Sequence, residues 1–104
     1  MRATANVTFT TTAANQDIMQ NTAVKQKIQE WLNVDEATYQ NMLANNGFKI
    51  DFTIFFNAQN TVSINGGTPN ALIADSVYYT GDWVYAQTVQ IGTATTATMS
   101  FTIN

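Results

Sequence analysis

Thr98-Met99-Ser100-Phe101-Thr102-Ile103 alternates a hydroxyl residue with an apolar one at every step. That period of two predicts a β-strand with one face in a core and the other in water. The opposite end of the chain carries the same pattern: Val7 and Phe9 alternate with Thr8, Thr10 and Thr12. Both patterns are in the same phase, so antiparallel pairing of the two terminal strands is expected. Their exposed threonine face would be formed by Thr8, Thr10, Thr12, Thr98 and Thr102.

Between these ends, two helical stretches are followed by a run of strands. About 16–32 reads as the first helix, with Val24, Ile28, Trp31 and Leu32 on one side and Ile18 at the edge of the stripe. Its first half is polar, so a shorter helix capped by Asn21 is the alternative. The second helix spans about 36–46. Asp35 is its N-cap, Glu36 meets the positive end of the helix dipole, and Val34 and Tyr39 have hydrophobic-staple spacing. Asn45-Asn46-Gly47 ends it, with Gly47 suited to the left-handed position.

From Phe48 onward the pattern is β. Ile50, Phe52, Ile54 and Phe56 face one way, and Lys49, Asp51, Thr53 and Phe55 the other. A turn at 57–60, a short strand at 61–64, a loop at Asn65-Gly66-Gly67-Thr68-Pro69-Asn70 and an extended stretch at 72–79 follow. Thr80-Gly81-Asp82 reads as a tight hairpin turn leading into a strand with Trp83, Tyr85, Val89 and Ile91 on one face. Gly92 marks a turn or bulge, and 94–97 is either loop or edge strand. The expected fold is therefore a single two-layer α+β domain over 1–104. Its two helices pack on one face of a mainly antiparallel sheet, in the order β-α-α-β-β-β-β(-β).

Composition narrows the function. Charged residues make up 11% of the chain, against about 25% in average usage. Their place is taken by 17 Thr, 12 Asn and 8 Gln, a neutral polar surface that tolerates close contact with other protein. The cations are Arg2, Lys25, Lys27 and Lys49, too few for strong nucleic-acid binding or a polybasic membrane anchor. Neither Cys nor His occurs, which removes disulfide scaffolds, His-dependent triads, and Cys or His metal sites. No cofactor, metal site or catalytic residue is expected, and the chain is read as not an enzyme. No apolar leader precedes the first strand pattern, and no apolar run is long enough to span a membrane. The expected location is the virion or the extracellular space, with a cytoplasmic stage before assembly.

Three side-chain groups stand out as candidates. Tyr78, Tyr79, Trp83 and Tyr85 cluster around the expected hairpin, where exposed rings would stack on sugars or anchor a protein contact. Tyr78 and Tyr79 alternate, so at least one ring is expected outside the core. Asp75 and Asp82 flank the same hairpin and are the pair that carboxylate-based hydrolysis would use, although their spacing does not require proximity. Thr8-Phe9-Thr10-Thr11-Thr12 and Thr93-Ala94-Thr95 resemble the hydroxyl rows on the ice-binding face of some antifreeze proteins. The rows here share no repeat of constant length, and threonine is a favourable strand residue in any sheet.

The expected architecture is similar to that of the coat proteins of small RNA phages, which also combine two helices with an antiparallel sheet. In that family the strands come first, the helices last, and basic residues on the sheet bind RNA. Here the helices come second and the cations are missing, so membership is not claimed. The function expected from these features is a self-assembling structural subunit, such as a viral or phage coat, decoration or tail-type protein, with itself or other structural proteins as partner. The alternative is a secreted or surface module that contacts glycan or protein through the Tyr/Trp hairpin.

Overall fold

A computed structural model describes residues 4–74 and 76–103. Among the described residues the chain forms an α+β fold in which two α-helices and eight antiparallel strands share one core. The strands divide between two sheets rather than one. The first has the order β1 (Ala5–Thr11), β8 (Thr95–Ile103), β3 (Lys49–Phe56), β6 (Val77–Tyr85). The second has the order β2 (Gln16–Asp17), β7 (Val89–Ile91), β4 (Asn60–Ile64), β5 (Asn70–Leu72).

The terminal strands pair as their phase requires. β1 runs antiparallel to β8, with Val7 opposite Met99 and Thr8 opposite Thr98. On its other side β8 pairs with β3, with Phe52 opposite Phe101 and Ile54 opposite Met99. The alternation predicted for β3 is complete: Ile50, Phe52, Ile54 and Phe56 are buried, and the residues between them are half-buried. Burying Phe52, Phe56 and Phe101 stabilises the fold by about 1.5–3 kcal/mol for each ring. Of the segment 94–97, Thr95, Thr96 and Ala97 open β8, a central strand rather than an edge.

The first helix is shorter than 16–32. Gln16 and Asp17 pair with β7, residues 18–20 form a 3-10 turn, and α1 spans Thr22–Leu32. The side chains dictate this division. Asp17 accepts from the Met19 N–H at 3.0 Å and caps the turn. Asn21 accepts from Ala23 and Val24 at 3.1 and 3.3 Å and starts the new helix. Ile18 and Met19 are both fully buried, and the tight turn directs these consecutive side chains into the core. Asn33 ends α1 in the left-handed conformation. The second helix, α2, spans Glu36–Ala44, two residues less than expected, and Asp35 caps it by accepting from Thr38 at 2.8 Å. After it, Asn46 rather than Gly47 takes the left-handed conformation, at φ 54°. Trp31 of α1 meets Phe101 edge-on at 6.2 Å between centroids, which lays the helix over the inner face of the first sheet.

The expected hairpin at Thr80-Gly81-Asp82 is absent. β6 runs straight through these residues, and Gly81 faces Phe52. A Cβ at Gly81 would lie 2.5 Å from two carbons of the Phe52 ring, so this glycine gives room to an aromatic side chain instead of making a turn. The irregularity comes one step later. Asp51 lies opposite both Asp82 and Trp83, and this bulge holds Trp83 at φ 49°. The expected strand through Trp83, Tyr85, Val89 and Ile91 is also divided. The chain leaves the first sheet after Tyr85 and enters the second at Val89. Asn65 holds the crossing: its Oδ1 accepts from Gln87 and Thr88 at 3.0 and 2.9 Å, and its Nδ2 donates to the Tyr85 carbonyl at 2.5 Å.

Candidate functional site

The outer face of the first sheet gathers most of the residues singled out above. Strand registry places Thr8 beside Thr98 and Thr10 beside Thr96, with 3.3 Å between hydroxyl oxygens in each pair. Ser100 donates to the Asn6 side-chain oxygen at 2.5 Å, and the Thr53 and Thr80 hydroxyls are 3.4 Å apart. Because every second residue of a strand points outward, these groups form a field of hydroxyls across β1 and β8 that gives way on β3 and β6 to Lys49, Asp51, Phe55 and Tyr78 around the Thr53–Thr80 pair. Thr12 is exposed just past the end of β1, and Thr102 is half-buried opposite Asp51.

The aromatic residues occupy a single strand, β6, at the edge of this sheet. Tyr78 is 68% exposed, on the outer face, and its ring lies 5.0 Å from that of Phe55. Tyr85 is also exposed, with the Lys49 ammonium 5.0 Å from its ring centroid, a cation–π contact. Tyr79 points inward, half-buried against Phe52 at 6.1 Å. Trp83 is exposed at the bulge. The four residues therefore do not form one platform: Tyr78 and Tyr85 share the outer face, separated by the bulge, and Tyr79 belongs to the core side.

Phe55 and Lys49 complete the outer aromatic contacts and were not singled out by sequence. The signal was present, since Phe55 is the one large apolar residue on the polar phase of β3. Its partner became legible only through the β3–β6 register, which sets Phe55 opposite Tyr78.

Of the carboxylate pair, Asp75 lies outside the described residues, and Asp82 is exposed at the bulge. Asp17 has the least ordinary environment. Burial pushes its carboxyl above the usual range, opposed by N–H groups donated from Val89 and Met19. It lines a cleft of about 350 Å³ together with Gln20, Gln40, Gln87 and Thr88. Gln20 and Gln40 use their amides on each other there, at 2.7 and 2.8 Å. Asp17 Oδ1 is taken up by the Met19 and Val89 N–H groups, so its bonding serves the fold. Among the described residues no three His, Cys, Asp or Glu side chains are grouped to hold a metal ion, and no helix is long and apolar enough to cross a membrane.

Comparison with protein-family models, curated proteins and solved structures finds no match for this chain.

Proposed function

We propose that this protein is a non-enzymatic structural subunit that assembles with copies of itself, of the kind that builds a virus or phage coat, decoration or tail. The observation that carries this reading is the outer face of the first sheet. It spans four strands; on β1 and β8 it is a field of hydroxyls with one amide, paired across the strands, and on β3 and β6 Thr53 and Thr80 stand among Lys49, Asp51, Asp82 and the Phe55–Tyr78 pair. A face of this kind presents little like-charge repulsion to a neighbour. Its hydroxyls both donate and accept, so they suit contact with backbone or with another hydroxyl face. Such a subunit would act in a virion or outside the cell. Size-exclusion chromatography with light scattering at high protein concentration, followed by negative-stain microscopy, tests the reading. Large species or particles are expected, and a strict monomer would overturn it.

One observation favours a second reading, a module that contacts glycan or protein. The Phe55–Tyr78 pair leaves Tyr78 largely open to solvent, as a stacking platform requires. A monomer that binds a glycan array, and loses that binding in Tyr78→Ala, would support this second reading against the first.

A further inference from the structure

The two edges of the first sheet are finished differently. At β1 the Asn21 side chain donates to the Thr10 carbonyl at 3.0 Å, so an edge acceptor is occupied from within the chain. Three of the four inward residues of β1, Ala5, Phe9 and Thr11, are buried. At β6 the inward residues Val77, Tyr79 and Val84 are only half-buried, and Gly81 alone is buried. Among the described residues β3 is the only ladder partner of β6. The second sheet offers much shorter edges, two residues in β2 and three in β5. β6 has nine residues and neither Lys nor Pro, and the two features that do guard an edge strand, the charge of Asp82 and the bulge beside it, lie beyond Gly81 and leave Val77–Gly81 open.

We propose that β6 pairs antiparallel with β6 of a second copy, about a twofold axis at Tyr79, joining two four-stranded sheets into one of eight. This rests on the self-assembly reading above and names the contact through which it occurs. The bulge at Asp82 and Trp83 limits the regular ladder to Val77–Gly81, whose centre is Tyr79. In that register Tyr78 of each copy faces Thr80 of the other on the outer face, an aromatic–threonine cross-strand pair of a favourable kind. The two Tyr79 rings meet on the inner side and cover the half-exposed flank of the core. Asp82, the single charge on β6, faces Ser76 of the other copy, so the two carboxylates lie at opposite ends of the ladder. Over Val77–Gly81 the sequence of the edge is thus compatible with its own reverse. On β1 the Thr10 carbonyl is already taken by Asn21, and the inward residues are better covered than those of β6.

The chain contains no cysteine, which makes disulfide trapping selective. Tyr78→Cys and Thr80→Cys change exposed side chains and are to be co-expressed, oxidised and resolved on a non-reducing gel. A covalent dimer is expected from the mixture, since only the mixed pairs set the thiol at position 78 opposite the thiol at position 80, and is expected to be lost from either variant alone. Like positions would sit beyond the roughly 7 Å Cα separation that a disulfide bridges. Tyr79→Cys alone is expected to form the dimer, with circular dichroism reporting that it remains folded. If the unmodified chain assembles by light scattering but neither trap closes, or if Thr80→Cys closes on itself, the edge pairing is overturned and the self-assembly reading stands. If the unmodified chain is strictly monomeric, both fall.

Discussion

The Tyr39 hydroxyl donates to the Met19 carbonyl oxygen at 2.5 Å, and this bond ties α2 to the 3-10 turn that precedes α1. Both residues are fully buried, so the carbonyl has no access to water if the hydroxyl is removed. Tyr39→Phe should cost about 1–3 kcal/mol, the penalty for an unpaired buried acceptor, measured as a lower midpoint in urea unfolding. Burial, and then the charges of Asp17 and Glu36, push the phenol well above the usual tyrosine range. The native state therefore keeps a proton that the unfolded state releases near pH 10.0. Stability from this group is present below that pH and is lost as pH rises above it. Tyr39→Phe should show a flatter alkaline limb in unfolding experiments.

Asp17 predicts the opposite response to an amide replacement. Both of its backbone bonds, from Met19 and Val89, go to the same oxygen, Oδ1. An asparagine keeps that acceptor and removes the cost of burying a charge. Asp17→Asn should be neutral or stabilising at pH 7, whereas Asp17→Ala should lose about 1–3 kcal/mol through two unpaired N–H groups. The raised carboxyl makes the native state bind its proton more tightly than the unfolded chain, whose value is near 3.8. Its contribution is thus full below that pH and declines as pH rises through the higher native value. Thermal melts between pH 3 and 7 should show this decline in the parent chain and not in Asp17→Asn.

Gly81 has no room for a side chain. With a Cβ 2.5 Å from the Phe52 ring, Gly81→Ala forces the ring or the strand to move. The expected cost is about 1–3 kcal/mol, as for other overpacked cores. Combining it with Phe52→Leu should recover part of that loss, because the smaller side chain removes the clash. A double-mutant cycle in urea measures the coupling, and strict additivity would contradict the contact.

Asn65 joins the two sheets through three hydrogen bonds to the Tyr85–Thr88 segment and adopts φ 50°. Asn65→Ala removes all three bonds and places a Cβ-only residue in the left-handed region. A loss of about 2–4 kcal/mol is expected from partial loss of the bonds together with about 1 kcal/mol of backbone strain. Asn65→Gly should be milder, since glycine tolerates that φ. Amide hydrogen exchange should show faster opening of 86–91 in both variants.

Much of this architecture was legible in local patterns. Period-two alternation located β1, β3 and β8 and the phase in which the terminal strands pair. Asp35 and Asn21 marked helix starts because capping is a local hydrogen bond between a side chain and an N–H two or three residues on. Gly81 was misread because a glycine in a polar triplet has the same letters whether it bends the chain or yields space to a ring. Which applies depends on Phe52, twenty-nine positions away. Alternation alone separates Tyr78 from Tyr79, but the arrival of Tyr85 on the same outer face as Tyr78 depends on the bulge opposite Asp51.

By itself, then, the sequence determined the α+β class, the wet threonine phase of the terminal strands, and the sparse charge of the chain as a whole. Those properties follow from the order of neighbouring residues and from composition. Tertiary structure alone decided that the strands split into two sheets, that Asn65 clasps the crossing between them, and that Asn21 of the helix cap reaches the Thr10 carbonyl on β1. Each of these depends on groups far apart in the chain meeting with particular geometry, and nothing in the local pattern encodes which distant partner a hydrogen-bonding group or a ring will find.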